Sequence, residues 1–147
     1  MQQRINVHQL DPSAFDVMIT MEKHIATTDL SIQLRELIKI RASQINHCAY
    51  CLDMHTKDAR KEGLTEQKLN VIAAWEESPL FDEAERAALK FTEEVTKIAD
   101  HGVSDTTFNE LQKHFTNKQI AQMIIVINQI NSWNRIAVAT KQLHPID

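Results

Sequence analysis

Apolar side chains recur along this chain at intervals of three and four residues, the spacing that lines one face of an α-helix. Leu10, Phe15, Met18 and Ile19 trace a first helix that starts after Asp11-Pro12, with Pro12 in its first turn, and runs to about Ala26. Thr28, Asp29 or Ser31 can cap a second helix, which carries Leu34, Leu37, Ile38 and Arg41 with Glu36 inside it. A third is expected to begin near Cys48 and to end at Gly63, which suits a left-handed C-cap after Arg60-Lys61-Glu62. Thr65, Asp82, Ser104 and Thr116 are the capping residues expected for four more. The helix after Asp82 should extend through Ala88, Phe91 and Val95 toward Gly102. The reading is all-α, with about six to seven helices.

The last helix has a different pattern. Between Ile120 and Val138 its apolar residues, among them Met123, Ile124, Ile125, Val126, Ile127, Ile130, Trp133 and Ile136, spread around most of the circumference. Such a helix should be buried on every side. A chain of 147 residues can hardly enclose one helix alone, so part of this surface is expected to meet another subunit in a homo-oligomer.

Composition narrows the classes. Hydrophobic residues at 43%, charged residues at 24% and only two glycines and three prolines fit one helical domain spanning residues 1–147, with no repeat or linker. The formal charge of −4 is scattered, and no Lys/Arg block marks a nucleic-acid surface. The longest apolar run, Met123 to Ile127, is too short to span a bilayer, and the first residues show no leader-like apolar stretch, so a cytoplasmic location without membrane contact is expected. Gly63 and Gly102 stand alone, so there is no phosphate-binding loop and no nucleotide cofactor is indicated.

The two cysteines, Cys48 and Cys51, bracket Ala49-Tyr50. A disulfide across so short a loop removes little entropy from the unfolded chain, which argues for chemistry rather than a staple. At the start of a helix both thiols would lie where unpaired N–H groups and the positive dipole end favour an anion. Cys51 falls about 60° around the axis from Cys48, and His55 about 40° from Cys51, so the three share one face. Glu36 lies twelve residues before Cys48, about 18 Å along a continuous helix. A turn within Ser43-Gln44-Ile45-Asn46-His47 would instead bring Glu36 opposite His55, where a carboxylate orients the imidazole. The dipole favours Cys48 as attacker; the neighbouring base, with its proton route, favours Cys51, with Cys48 resolving a sulfenic acid. Zinc held by His47, Cys48, Cys51 and His55 is disfavoured, because a structural site draws its ligands from more than one element.

The pattern of Glu36, eleven intervening residues, then Cys48-x-x-Cys51-x-x-x-His55 resembles the alkyl hydroperoxidase D (AhpD-like) core motif of the carboxymuconolactone decarboxylase superfamily. The flanking Arg41 to Cys51 and Lys57-Asp58-Ala59-Arg60 are similar to it as well. The resemblance implies an AhpD-like helical domain, a homo-oligomer (dimer, trimer or hexamer) and thiol-dependent reduction of hydroperoxides. It also implies that Cys51 attacks, Cys48 resolves, and Glu36 with His55 relays protons. The partners would then be a hydroperoxide substrate and a lipoyl or thioredoxin-like dithiol reductant, with no cofactor and no metal. Tyr50 departs from the pattern, standing where some members have a second histidine. The decarboxylases proper lack the dithiol, which disfavours ring-fission lyase chemistry. A redox-sensing or disulfide-exchange oligomer without peroxidase turnover is the alternative. Asn131, Asn134 and Arg135 are expected either to border the dithiol pocket or a subunit contact, or merely to bond near a helix end.

Overall fold

The computed structural model describes residues 2–146, and among these the regular structure is helical throughout. The order is α1 (Val7–Leu10), α2 (Pro12–Ala26), α3 (Ile32–Ile45), α4 (Ala49–Lys61), α5 (Glu66–Val71) continuing into a 3₁₀ segment (Ile72–Glu77), α6 (Glu83–Thr96), α7 (Ile98–His101), α8 (Asp105–His114) and α9 (Asn117–Thr140). No helix of the described residues is long and apolar enough to cross a membrane.

The starts follow from local chemistry. Asp11 accepts a bond from Ala14 N–H ahead of Pro12, and the side chains of Ser31, Thr65 and Ser104 likewise cap α3, α5 and α8. Asp82 with Glu85 and Thr116 with Gln119 form reciprocal capping boxes. The departures from expectation are mostly short elements. A four-residue α1, held by Asn6, precedes Pro12 and shows no period to read. The expected helix from Asp82 to Gly102 breaks at Lys97, leaving α6 and the one-turn α7.

Two helical reversals use the same device. After α4, Gly63 adopts φ 90°, with its N–H bonded to Arg60 O and that of Leu64 to Ala59 O. This is a Schellman closure on a glycine. After α3 the pattern repeats: His47 N–H bonds Gln44 O and Cys48 N–H bonds Ser43 O. Here the left-handed position, φ 53°, belongs to His47, a non-glycine residue exposed to solvent. The closure therefore ends α3 and sets Cys48 as the cap of α4 in adjoining steps.

Burial concentrates on α3. It packs against α4, α6 and α9, and residues 36–40 are all buried, together with Leu34, Ala42 and Ser43. Leu34 and Ile38 join Ile25, Phe91, Leu111, Met123 and Val126 in one cluster; Leu37 and Ile40 join Leu69, Ile72, Trp75 and Leu89 in another. A third cluster unites Ala42, Cys48, Cys51, Ile130 and Ala137. Within the chain, α9 is not buried on every side. Ile124, Ile125 and Val138 lie on an exposed arc with Asn128, Ser132 and Arg135, because α9 has neighbours on its inner side only.

One buried charge is purely architectural. Glu94 accepts bonds from Ser104 N–H and Oγ and from Thr107 Oγ1, so α6 anchors the start of α8. Burial raises its pKa, but these bonds outweigh burial and hold it below the usual carboxylate range.

Candidate active site

Because α3 and α4 run antiparallel from the His47 turn, Glu36 comes to face His55. Glu36 Oε2 lies 2.8 Å from His55 Nδ1, and both residues are buried. The contact leaves the imidazole Nε2 for exchange with another group. Cys48, at the cap of α4, accepts the Cys51 N–H at 3.4 Å, and the two sulfurs are 2.7 Å apart as free thiols.

The sulfurs are not equivalent. Hydrogen bonding to Cys51 is the main reason the Cys48 thiol is lowered to about 7; burial opposes this, and Asn134 and backbone N–H groups add to it. Cys51 moves the other way. Its bond to Cys48, burial and the nearby Cys48 charge all raise it, against weaker help from Asn134 and Ser43. The pair thus releases its first proton readily and the second only with difficulty, and the first charge rests mainly on Cys48. Alkylation by excess iodoacetamide, followed by mass spectrometry after brief exposure, is expected to rise with pH through about 7. Labelling that begins only near pH 9 would contradict this.

Access separates them in the opposite sense. A cavity of about 390 Å³ opens beside α4, and Cys51 and His55 line it, whereas Cys48 sits behind them. Its walls are largely apolar, from Phe15 and Ile19 of α2, Met54 of α4 and Trp133 and Ala137 of α9. Glu22, Glu36 and Lys39 supply charge on one side, and Tyr50 also borders the space.

Several of these residues escaped the sequence reading. The polar positions of α9 border the dithiol from behind rather than from the cavity. Asn46 Nδ2 donates to Asn131 Oδ1 at 2.8 Å and to Asn134 Oδ1 at 2.9 Å, while Asn134 Nδ2 donates to Ser43 Oγ at 3.0 Å. Asn134 is fully buried. These bonds clamp the α3–α4 turn to α9 and so fix the height of Cys48. Arg135 is exposed and bonds within its own helix, to Asn131 O and Oδ1. Lys39 and Glu22 carried no sequence signal beyond their charge. Trp133, one of the apolar residues of the last helix, borders the cavity, and its Nε1 donates to Glu22 Oε1 at 2.9 Å. His47 is spent on the turn. Among the described residues, no group of three His, Cys, Asp or Glu side chains is arranged to hold a metal ion.

Comparison with known proteins shows the family. The model of the carboxymuconolactone decarboxylase family matches residues 12–94, a stretch that includes Glu36, Cys48, Cys51 and His55. An uncharacterized protein of Bacillus subtilis, YdfG, is 42% identical over 139 residues, 95% of each chain. The crystal structure of a protein of unknown function from Agrobacterium tumefaciens, suggested to be the antioxidant defence protein AhpD, superposes with a TM-score of 0.97. It is 42% identical, over 99% of this chain and 100% of that one. An uncharacterized peroxidase-related protein from Silicibacter has a TM-score of 0.79 at 25% identity, covering 94% of this chain and 71% of its own. With its all-helical fold and its Glu36, Cys48, Cys51 and His55 pattern, the chain belongs to the carboxymuconolactone decarboxylase family, as an AhpD-like domain.

Proposed function

We propose that this protein is a thiol peroxidase that reduces organic hydroperoxides through a Cys48–Cys51 dithiol and disulfide cycle. The observation that carries the reading is the position of Cys51 and the Glu36-bound His55 on the wall of one apolar cavity, with a second thiol 2.7 Å behind. The relatives described as peroxidase-related and as an antioxidant defence protein support the same class.

In this reading the dithiol enters the reaction with one proton removed. Cys51 sulfur attacks the terminal oxygen of the hydroperoxide as its own proton, if present, passes to Cys48. The S–O bond forms, the O–O bond breaks, and the alkoxide leaves as alcohol with a proton supplied through His55 Nε2. Cys51 is then a sulfenic acid. Cys48 attacks the Cys51 sulfur, the hydroxyl leaves as water, and a disulfide closes. A lipoyl or thioredoxin-like dithiol takes up that oxidation and restores the thiols. A buried Cys51 reached only through the cavity suits a substrate with an apolar body.

A second reading rests on the low value at Cys48, the residue that attacks in thioredoxin-type motifs: the dithiol exchanges with protein disulfides and peroxide turnover is negligible. The two are separated by a coupled assay with cumene hydroperoxide and either dihydrolipoamide or thioredoxin. Sustained alcohol formation supports the peroxidase; disulfide reduction without it supports exchange.

The reading includes a homo-oligomer that covers Ile124, Ile125 and Val138, and light scattering at micromolar concentration is expected to give more than the 16.9 kDa monomer. A monomeric mass would overturn it.

A further inference from the structure

The cavity contains a charged group that the scheme above leaves unused. Lys39 stands one turn after Glu36 on α3, and its side chain is only 11% exposed. Removing an ammonium group from water is costly unless charges face it. Two do: Glu22 Oε2 at 3.1 Å and Glu36 Oε1 at 3.9 Å. Glu22 is itself fixed, because its other oxygen accepts the Trp133 indole N–H. The two oxygens of Glu36 are thereby divided, one toward His55 and one toward Lys39.

We propose that Lys39, held by Glu22 and Trp133, is a positioning residue that shares the Glu36 carboxylate with His55 and so sets how readily the imidazole gives up a proton. The role within catalysis rests on the peroxidase reading; the electrostatic effect does not. Three carboxylates face the cavity: Glu22 from α2, Glu36 from α3 and Asp58 from α4. Lys39 is the cation set against Glu22 and Glu36, whereas Asp58 pairs with Lys61 at 2.8 Å; the other ionisable groups on the wall are Tyr50 and Cys51, with Cys48 behind. Without the ammonium, an imidazolium at His55 would face the full charge of the Glu36 carboxylate, with no cation on its other oxygen. With the ammonium in place, the field of Glu36 is partly cancelled while its oxygen still orients Nδ1. Carboxylate and ammonium therefore divide two tasks, orientation and release.

The effect of Lys39 has a sign, which a merely space-filling lysine would lack. In Lys39→Met the pH at which the His55 ring signals change, followed by ¹⁵N NMR and assigned against His55→Gln, should move upward by about one unit. In Glu22→Gln it should move downward, since one carboxylate is lost and the ammonium is less neutralised. Lys39→Arg keeps the charge and should stay close to the unsubstituted protein. In the coupled assay the pH profile of kcat should move in the same direction as the ring signals in each variant, with KM changing little. Unchanged ring titrations in Lys39→Met and Glu22→Gln, or shifts of the same sign in both, would overturn the proposal. The Glu22→Gln arm keeps it decidable if Lys39→Met fails to fold. An absence of peroxide turnover in the unsubstituted protein would reject the peroxidase reading and leave the ring titration to decide Lys39.

Discussion

Cys51→Ser is expected to abolish hydroperoxide turnover, by about a thousandfold or more, whereas Cys48→Ser should retain one stoichiometric reaction and then stop. The asymmetry follows from where the sulfurs sit. Cys51 lines the cavity and Cys48 lies behind it, so only Cys51 meets a peroxide oxygen directly. Without Cys48, the sulfenic acid at Cys51 has no neighbouring thiol to condense with and should be trapped by a dimedone reagent at one per chain. Without Cys51, the thiolate favoured at Cys48 has no route to the substrate, and no adduct should form. The acidity of the two thiols argues for the reverse assignment. Access outweighs acidity in this expectation because the sulfurs are 2.7 Å apart, close enough for a proton to pass between them as the attack proceeds. A dimedone adduct in Cys51→Ser and none in Cys48→Ser would move the attack to Cys48.

The second large effect is expected at His55. His55→Gln keeps a polar side chain of similar reach but no group that transfers a proton near neutral pH, and kcat should fall by about 10² to 10⁴. Glu36→Gln should cost less, about 10- to 100-fold, because the ring remains and only its fixed orientation and charge partner are lost. The double variant should be little worse than His55→Gln alone, since both residues act as one unit across the 2.8 Å contact. Additive losses would show that Glu36 acts on the substrate independently of His55. A more acidic leaving alcohol, from a fluorinated hydroperoxide, should shrink the His55 effect, because such an alkoxide leaves with less need of a proton.

Much of this site could be read before any coordinates. Its central pairing depends on one turn. Ser43 to His47 reads as a reversal, and the helical period on each side then fixes which residues meet, so Glu36 opposite His55 follows from counting. The structure adds the reason that a histidine can make the turn: its left-handed backbone completes a Schellman closure that hands the chain straight to Cys48 as the next cap. The reading went wrong where periodicity had too little to work on, at the four residues of α1 and the break between α6 and α7. The all-round apolar pattern of α9 leaves surface for another subunit, and within the chain Ile124, Ile125 and Val138 are exposed. The longest run of buried residues is on α3, whose charged residues disguise it. Glu36, Lys39 and Ser43 are buried against polar partners, His55, Glu22 and Asn134 in turn, and a polar residue kept inside at some cost in solvation is a departure from pattern that points to a site.

What the sequence determines by itself is what neighbours within about twenty residues can decide: the helix caps, the left-handed cap at Gly63, the shared face of Cys48, Cys51 and His55, and the Glu36 partnership with His55. What tertiary structure alone decides is the environment of that face. Asn134 reaches Ser43 across 91 positions of sequence, and Trp133 holds Glu22 across 111. No helical period carries such pairings, because they depend on how α9 and α2 close over the α3–α4 hairpin. That closure selects which sulfur faces the cavity, buries the thiols beside a polar clamp, and places Lys39 against the carboxylate that orients His55.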